Sequence, residues 1–305
     1  MGTTYSVKVT DPPADVRLDA LKRAIEERLN ALNASMSTYQ SDSELSRFNA
    51  RGDTGWFAVS EALAIVVAEA LRVGDLTGGA FDITVGPLVN LWGFGPETRP
   101  EKVPSDEELE QALSRVGRHH LEVRTPSPAL RKAIADVYVD LSAIAKGFAV
   151  DEIAQLLESM GVESYLVEIG GELRVRGLNA RGEPWRIAVE VPSPGQRAIK
   201  RVIRPGAGGV ATSGDYRNYF EQDGRRYSHT IDPSTGRPID HRLASVTVVH
   251  PAAMTADALA TGLMVLGPEA AFDVAQRFDL AVFLITKTDA GFVERYTRAF
   301  ARYLD

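Results

Sequence analysis

The chain has 305 residues, 44% of them hydrophobic and 25% charged, the make-up of a folded protein with a sizeable core, which excludes an intrinsically disordered one. Its formal net charge of −7, with no dense Lys/Arg block, argues against a nucleic-acid partner held by phosphate neutralisation. Cysteine is absent, so disulfides, thiolate catalysis and Cys-based zinc sites are excluded, and no apolar run reaches the length needed to span a bilayer.

In chain order, Thr4 to Val9 reads as a strand, and apolar residues at helical spacing (Leu18, Leu21, Ile25, Leu29, Leu32) predict a helix over 16–32. A polar, Ser-rich stretch follows from Ser35 to Ser46. A second helix runs from Ser60, a good N-cap, to Leu76, and Gly78-Gly79 stops it. Residues 93–106, rich in Gly, Pro and charge, read as a surface excursion. Ala135 to Asp140 is strand-like, Ala143 to Met160 is helical and closed by Gly161, and Ser164 to Ile169 is a strand. Gly170-Gly171 then forms a two-residue hairpin turn into a strand over Glu172 to Arg176. Further strands are expected at 185–191, 209–213, 226–231 and 244–250, a helix from Thr255 to Leu266, and a last strand from Leu280 to Ile285. Helices and strands interleave without a regular βα alternation, so the expected fold class is α+β.

Four constellations carry chemistry. In Asp140-Leu-Ser-Ala-Ile-Ala-Lys146-Gly147 a strand enters a helix, whose unpaired N–H groups and Lys146 one turn in suit a phosphate. Gly147 inside that helix points to close approach of another backbone or a ligand; the plain alternative is a βα unit with a surface lysine and a packing glycine. In the second, Asp257 and Thr261 stand four residues apart on one helix face, hard oxygen ligands of the kind magnesium prefers. Equally, Asp257 could complement its helix N-terminus and Thr261 bond back to its own backbone. Third, Asp82 in Gly79-Ala80-Phe81-Asp82, placed in a Gly-bounded strand, either meets a ligand or fixes a turn. Fourth, His229 at a strand end before Asp232-Pro-Ser-Thr-Gly236 can act as a general base near neutral pH, though such a histidine is more often structural. No P-loop, G-x-G-x-x-G, H-E-x-x-H or G-x-S-x-G signature occurs.

In order, these segments resemble the ApbE family: Met1-Gly-Thr-Thr-Tyr-Ser-Val, Met36 to Asn49, Gly79 to Asp82, Asp140 to Asp151, Ile169-Gly-Gly-Glu172, Thr212-Ser-Gly214, His229 to Gly236 and Asp257 to Thr261. The resemblance implies one ApbE-like domain over 1–305, two intimately packed α/β lobes with no independent linker and an FAD site in the cleft between them. It implies a transferase that moves FMN from FAD to a Thr or Ser hydroxyl of a target flavoprotein and releases AMP. Carried onto this chain, magnesium would be held by Asp257, Thr261 and the Ala143 carbonyl, and FAD by Met1, Tyr39, Ala80, Phe81, Asp82, Asp140, Lys146 and Ile231. His229 and Lys146 would be catalytic. An FAD pyrophosphatase giving free FMN and AMP, and a non-catalytic flavin-binding protein, are the rival readings. Family relatives usually carry an export signal before the motif at Met1, so a periplasmic place, or the outer face of the inner membrane, is expected.

Overall fold

The computed structural model describes residues 2–96, 102–190, 199–214, 219–222 and 224–305. Its strands in chain order are β1 (Tyr5–Thr10), β2 (Phe57–Ala58), β3 (Leu121–Arg124), β4 (Ala129–Lys132), β5 (Ser164–Ile169), β6 (Glu172–Arg176), β7 (Ile187–Glu190), β8 (Ile199–Ile203), β9 (Gly208–Gly214), β10 (Tyr219–Gln222), β11 (Arg225–Ser228), β12 (Leu243–His250), β13 (Ala281–Thr288) and β14 (Gly291–Tyr296). The helices are α1 (Leu18–Met36), α2 (Glu44–Asn49), α3 (Glu61–Leu76), α4 (Gly86–Leu91), α5 (Asp106–Leu113), α6 (Ala145–Ser159), α7 (Ala253–Leu266), α8 (Pro268–Arg277) and α9 (Arg298–Ala301).

Seven strands form an antiparallel sheet in the order β1-β5-β6-β9-β12-β13-β14. Side chains alternate across a strand, and β13 shows what that does here. Val282 and Leu284 join a large core with α1, α3, α6, α7 and α8, while Ala281, Phe283 and Ile285 join a second core with Val189 of β7, Ile203 of β8 and Phe300 of α9. The sheet is therefore buried on both faces, which is why β13 reads as a continuous apolar run. A third cluster packs Trp92 and Leu88 of the α4 region against Leu109 of α5, Phe220 of β10 and Ile231. The mixed helix and sheet content is the α+β class that the interleaved pattern implies.

Strands β5 and β6 and their Gly170-Gly171 turn fall where the sequence puts them; both glycines have positive φ, 63° and 108°, as a tight hairpin between paired Ile169 and Glu172 requires. Ser60 caps α3 through the Leu63 N–H. Other expectations need correction. Helix α1 continues to Met36 because Leu32, Ser35 and Met36 are also buried, and the Ser-rich stretch contains the start of α2. Ala135 to Asp140 is no strand: Ala135 and Asp136 lie in a turn, the Asn49 side chain bonds both the N–H and the C=O of Val139, and the Asp140 N–H donates to the Ile83 carbonyl, so side-chain and loop partners stand where a neighbouring strand would. The segment around Asp82 is a turn leading into α4. Leu280 to Ile285 does not end the set, since α8 precedes that strand and β14 and α9 follow it. Part of the 93–106 excursion, residues 97–101, lies outside the described residues.

Candidate functional site

Helix α7 is apolar nearly all round, and it lies against α6 and over β9 and β12. Its first two free amides, on Ala253 and Met254, are accepted by the carboxylate of Asp151 on α6, at 3.0 and 2.9 Å, and Arg174 of β6 pairs with the same carboxylate at 2.8 Å. Asp151 thus supplies the cap that Ala252 cannot. Asp257 is thereby released from tending its own helix end. Its Oδ2 instead accepts the N–H of Gly147, across the helix pair, at 3.0 Å. Close approach makes this contact: a Cβ on Gly147 would stand 2.3 Å from the Ala253 carbonyl oxygen. Of the two readings of that glycine, the neighbouring backbone is the one observed.

The start of α6 differs from expectation. The helix opens at Ala145, so Lys146 is its second residue. The amide of Ser142 is taken by Asp140 Oδ1, those of Ile144 and Ala145 by the Leu141 carbonyl, and that of Gly147 by Asp257. These internal bonds leave the ammonium of Lys146 as the positive group of this corner. Its Nζ donates to the Ser142 carbonyl at 3.0 Å and stands 3.7 Å from Asp257 Oδ2 and 3.6 Å from Glu172 Oε1. Glu172 comes from the first position of β6, straight after the Gly-Gly turn.

Two buried carboxyl groups thus face one ammonium. Burial pushes Glu172 up to about 8, with the Asp257 charge adding and Lys146 opposing. Asp257 is likewise raised by burial, against the pull of Lys146 and the Gly147 N–H. For Lys146 burial works downward, but the two carboxylates outweigh it and its pKa is raised. The second oxygen of Glu172, Oε2, is buried and has no hydrogen-bond partner among the described residues. The cluster thus sets two carboxyl groups against one ammonium and leaves one carboxyl oxygen to be completed from the cavity side.

These groups open onto a cavity of about 570 Å³, a size usual for small-molecule sites. Asp140, Ala143, Lys146, Asp257 and Thr261 line one part of it, Ala80, Phe81 and Asp82 another, and His229 and Ile231 a third, with Tyr39 at 75% exposure on its rim. Every expected site residue among the described residues lies on this one cavity; Met1 lies outside them. Asp82 fixes a turn, as one of its two readings held: Oδ1 accepts the N–H and hydroxyl of Thr84, and Oδ2 accepts the Arg118 N–H. Tyr39 is held by Ser37, whose hydroxyl accepts the Tyr39 and Gln40 amides and whose carbonyl accepts the hydroxyls of Ser43 and Ser46. His229 follows β11 and meets the Phe94 ring edge-on, 6.4 Å between centroids. Glu172, Phe94 and Thr212 to Gly214 also line the cavity and were not among the expected site residues. Two signals pointed to Glu172: a carboxylate next to a Gly-Gly turn, and its place in one of the segments that carry the family resemblance.

The donor set is of the kind a hard divalent cation takes: the Asp257 carboxylate, the Thr261 hydroxyl and the Ala143 carbonyl belong to residues that line the one cavity, beside two carboxyl groups sharing one ammonium. Among the described residues no group of three or more His, Cys, Asp or Glu side chains is arranged to hold a metal ion. Asp257, Thr261 and Ala143 together bring a single carboxylate, the other two oxygens being a hydroxyl and a backbone carbonyl.

The ApbE family model matches residues 1–284. The chain is 53% identical over 304 residues to the FAD:protein FMN transferase of Vibrio cholerae serotype O1, covering all of this chain and 90% of that protein. It is 47% identical over 307 residues to the protein of the same name from Escherichia coli K12, covering all of this chain and 87% of that one. Among solved structures it is similar to flavin transferase ApbE from Vibrio cholerae, with a TM-score of 0.93, 52% identity and coverage of 100% and 96%. It is similar also to the apo form of the Pseudomonas stutzeri flavinyl transferase ApbE, with a TM-score of 0.90, 44% identity and coverage of 98% and 93%.

Proposed function

The chain belongs to the ApbE family, and from that premise we propose that it transfers the FMN half of FAD to a Thr or Ser hydroxyl of an acceptor flavoprotein and releases AMP. The observation that carries this reading is the convergence of Lys146, Asp257, Thr261, Asp140 and His229 on one cavity. An ammonium suits a pyrophosphate and a neutral imidazole suits a hydroxyl proton. The names of the relatives, FAD:protein FMN transferase, support the substrate and the type of acceptor.

In this reading the acceptor oxygen forms a bond to the FMN phosphorus while the phosphorus–oxygen bond to AMP breaks, AMP leaving with the electron pair and the hydroxyl proton passing to His229. Lys146 neutralises pyrophosphate charge, Asp140 and the Asp82 turn shape the wall, and Tyr39 covers the rim. A magnesium ion held by Asp257, Thr261 and the Ala143 carbonyl would supply further charge neutralisation at the pyrophosphate. The protein works in the periplasm or at the outer face of the inner membrane. Among the described residues no helix is long and apolar enough to cross a membrane.

The test is incubation with FAD, magnesium and a Thr-containing acceptor domain, followed by intact-mass analysis of the acceptor and chromatography of the nucleotides. The acceptor should gain the mass of an FMN moiety while AMP appears. Free FMN with AMP would make the protein a pyrophosphatase, and retained FAD without AMP a carrier. Asp257→Ala should abolish transfer; wild-type activity of that variant in chelator-treated buffer repleted with magnesium would refute the metal assignment.

A further inference from the structure

Among the described residues on the cavity, Glu172 is a buried acid for which the transfer of FMN has no use. Its orientation is imposed from outside the site: it is paired with Ile169 across a two-residue turn, and the Gly171 N–H is tied to Glu168 Oε1 at 2.7 Å, so the hairpin cannot swing it away. Its side chain keeps 7% of its surface. One oxygen faces Lys146 at 3.6 Å, while the other, Oε2, is buried with no hydrogen-bond partner among the described residues. A buried carboxylate oxygen left unpaired is costly, and such an orphan is retained where a ligand completes it.

The surroundings limit what that ligand is. Lys146 already lies between Glu172 and Asp257, at 3.6 and 3.7 Å, one ammonium shared by two carboxyl groups. A second acceptor cannot complete a carboxyl oxygen, so the missing partner of Oε2 brings hydrogen-bond donors or a cation. A hard divalent cation brings both, because it keeps several bound waters whose hydrogens seek acceptors. Carboxylates beyond the direct ligands commonly take such hydrogens and tune affinity.

We propose that Glu172 is a further member of the divalent-cation site, acting not as a direct ligand but as the acceptor, through Oε2, for the cation's bound water. It rests on the reading of Asp257, Thr261 and Ala143 as cation ligands. In that role Glu172 is a positioning residue, and Lys146, set between the two acids, keeps them from repelling each other before the cation arrives.

The experiment titrates Mn²⁺ into the metal-stripped full chain, with and without FAD, and reads affinity by electron paramagnetic resonance and melting temperature by circular dichroism. Asp257→Asn should lose Mn²⁺ binding. Glu172→Gln should weaken it about tenfold or more, yet melt no lower than the wild type in chelator, since the amide fills the same volume and remains an acceptor toward Lys146. Glu172→Asp, which keeps the charge, should recover part of the affinity. If Glu172→Gln binds Mn²⁺ within twofold of the wild type while Asp257→Asn does not bind it, Glu172 is no part of the cation site and the proposal falls alone. If Asp257→Asn also binds normally, or the wild type binds no Mn²⁺ in either condition, the cation reading falls and the proposal with it.

Discussion

Lys132 is 1% exposed, and its ammonium donates not to an acid but to the carbonyls of Asn49, Arg51 and Ala135, at 2.9, 3.1 and 3.2 Å, and lies 5.1 Å from the Phe48 ring. It closes the carbonyl end of α2, which places it among the structural lysines rather than the chemical ones. Burial pushes its pKa down to about 8. Between pH 8 and the unfolded value of 10.5 the unfolded chain holds a proton that the native chain has lost, so native stability rises with pH across that window. Compared with Lys132→Met, the wild type should gain unfolding free energy from pH 7.5 to pH 10 in urea titrations, and a pH-independent difference would show that the ammonium is not strained. Asp151 makes the complementary point. It stands on the same helix as Lys146, yet its bonds to Ala253, Met254 and Arg174 are architectural. Sequence proximity to a candidate ligand-binding lysine did not distinguish the two roles, because the distinction lies in which neighbour each side chain meets.

The crossing of α6 and α7 decides whether the site exists at all. Gly147→Ala would put a methyl 2.3 Å from the Ala253 carbonyl and 2.8 Å from Asp257 Cβ. Overpacking of this kind costs about 1–3 kcal/mol. Because the same shift breaks the Gly147 N–H bond to Asp257, the variant should lose more activity than its lowered denaturation midpoint explains; full transfer activity at a temperature where it stays folded would contradict this. Elements with a strong local signal were legible: the β5–β6 hairpin from its Gly-Gly turn, α3 from Ser60 and its apolar stripe. Ala135 to Asp140 and the Asp82 segment read as strands for a reason now visible. Extended and turn segments share apolar alternation with strands, and what separates them is the partners of their polar atoms, among them Asn49 and Arg118, distant in the chain.

The double-sided burial of the central sheet argues for one cooperative unit. Phe283 is 1% exposed, on the face packed by Phe300 and Ile203, while its neighbours Val282 and Leu284 reach the opposite core. Phe283→Ala should cost about 3–5 kcal/mol. Its loss should move the far-ultraviolet circular dichroism and tryptophan fluorescence transitions together, since Trp92 sits in the third cluster, beside the cavity. Two separated transitions would mean independently unfolding lobes.

Residue types and spacing alone were enough to give an α+β chain without cysteine chemistry and a helix face pairing Asp257 with Thr261, and to single out Gly147 with close approach and plain packing both open, since these depend on local periodicity and on what each side chain can do. Assembly into three dimensions decided the rest. It gave the Ser142, Ile144, Ala145 and Gly147 amides at the start of α6 to internal acceptors, made Lys146 the positive group, drew Glu172 to its side and put Asp82 to work holding a turn. Those outcomes are set by groups far apart in the chain competing for the same hydrogen bonds in a buried space, and no local pattern records who wins such a contest.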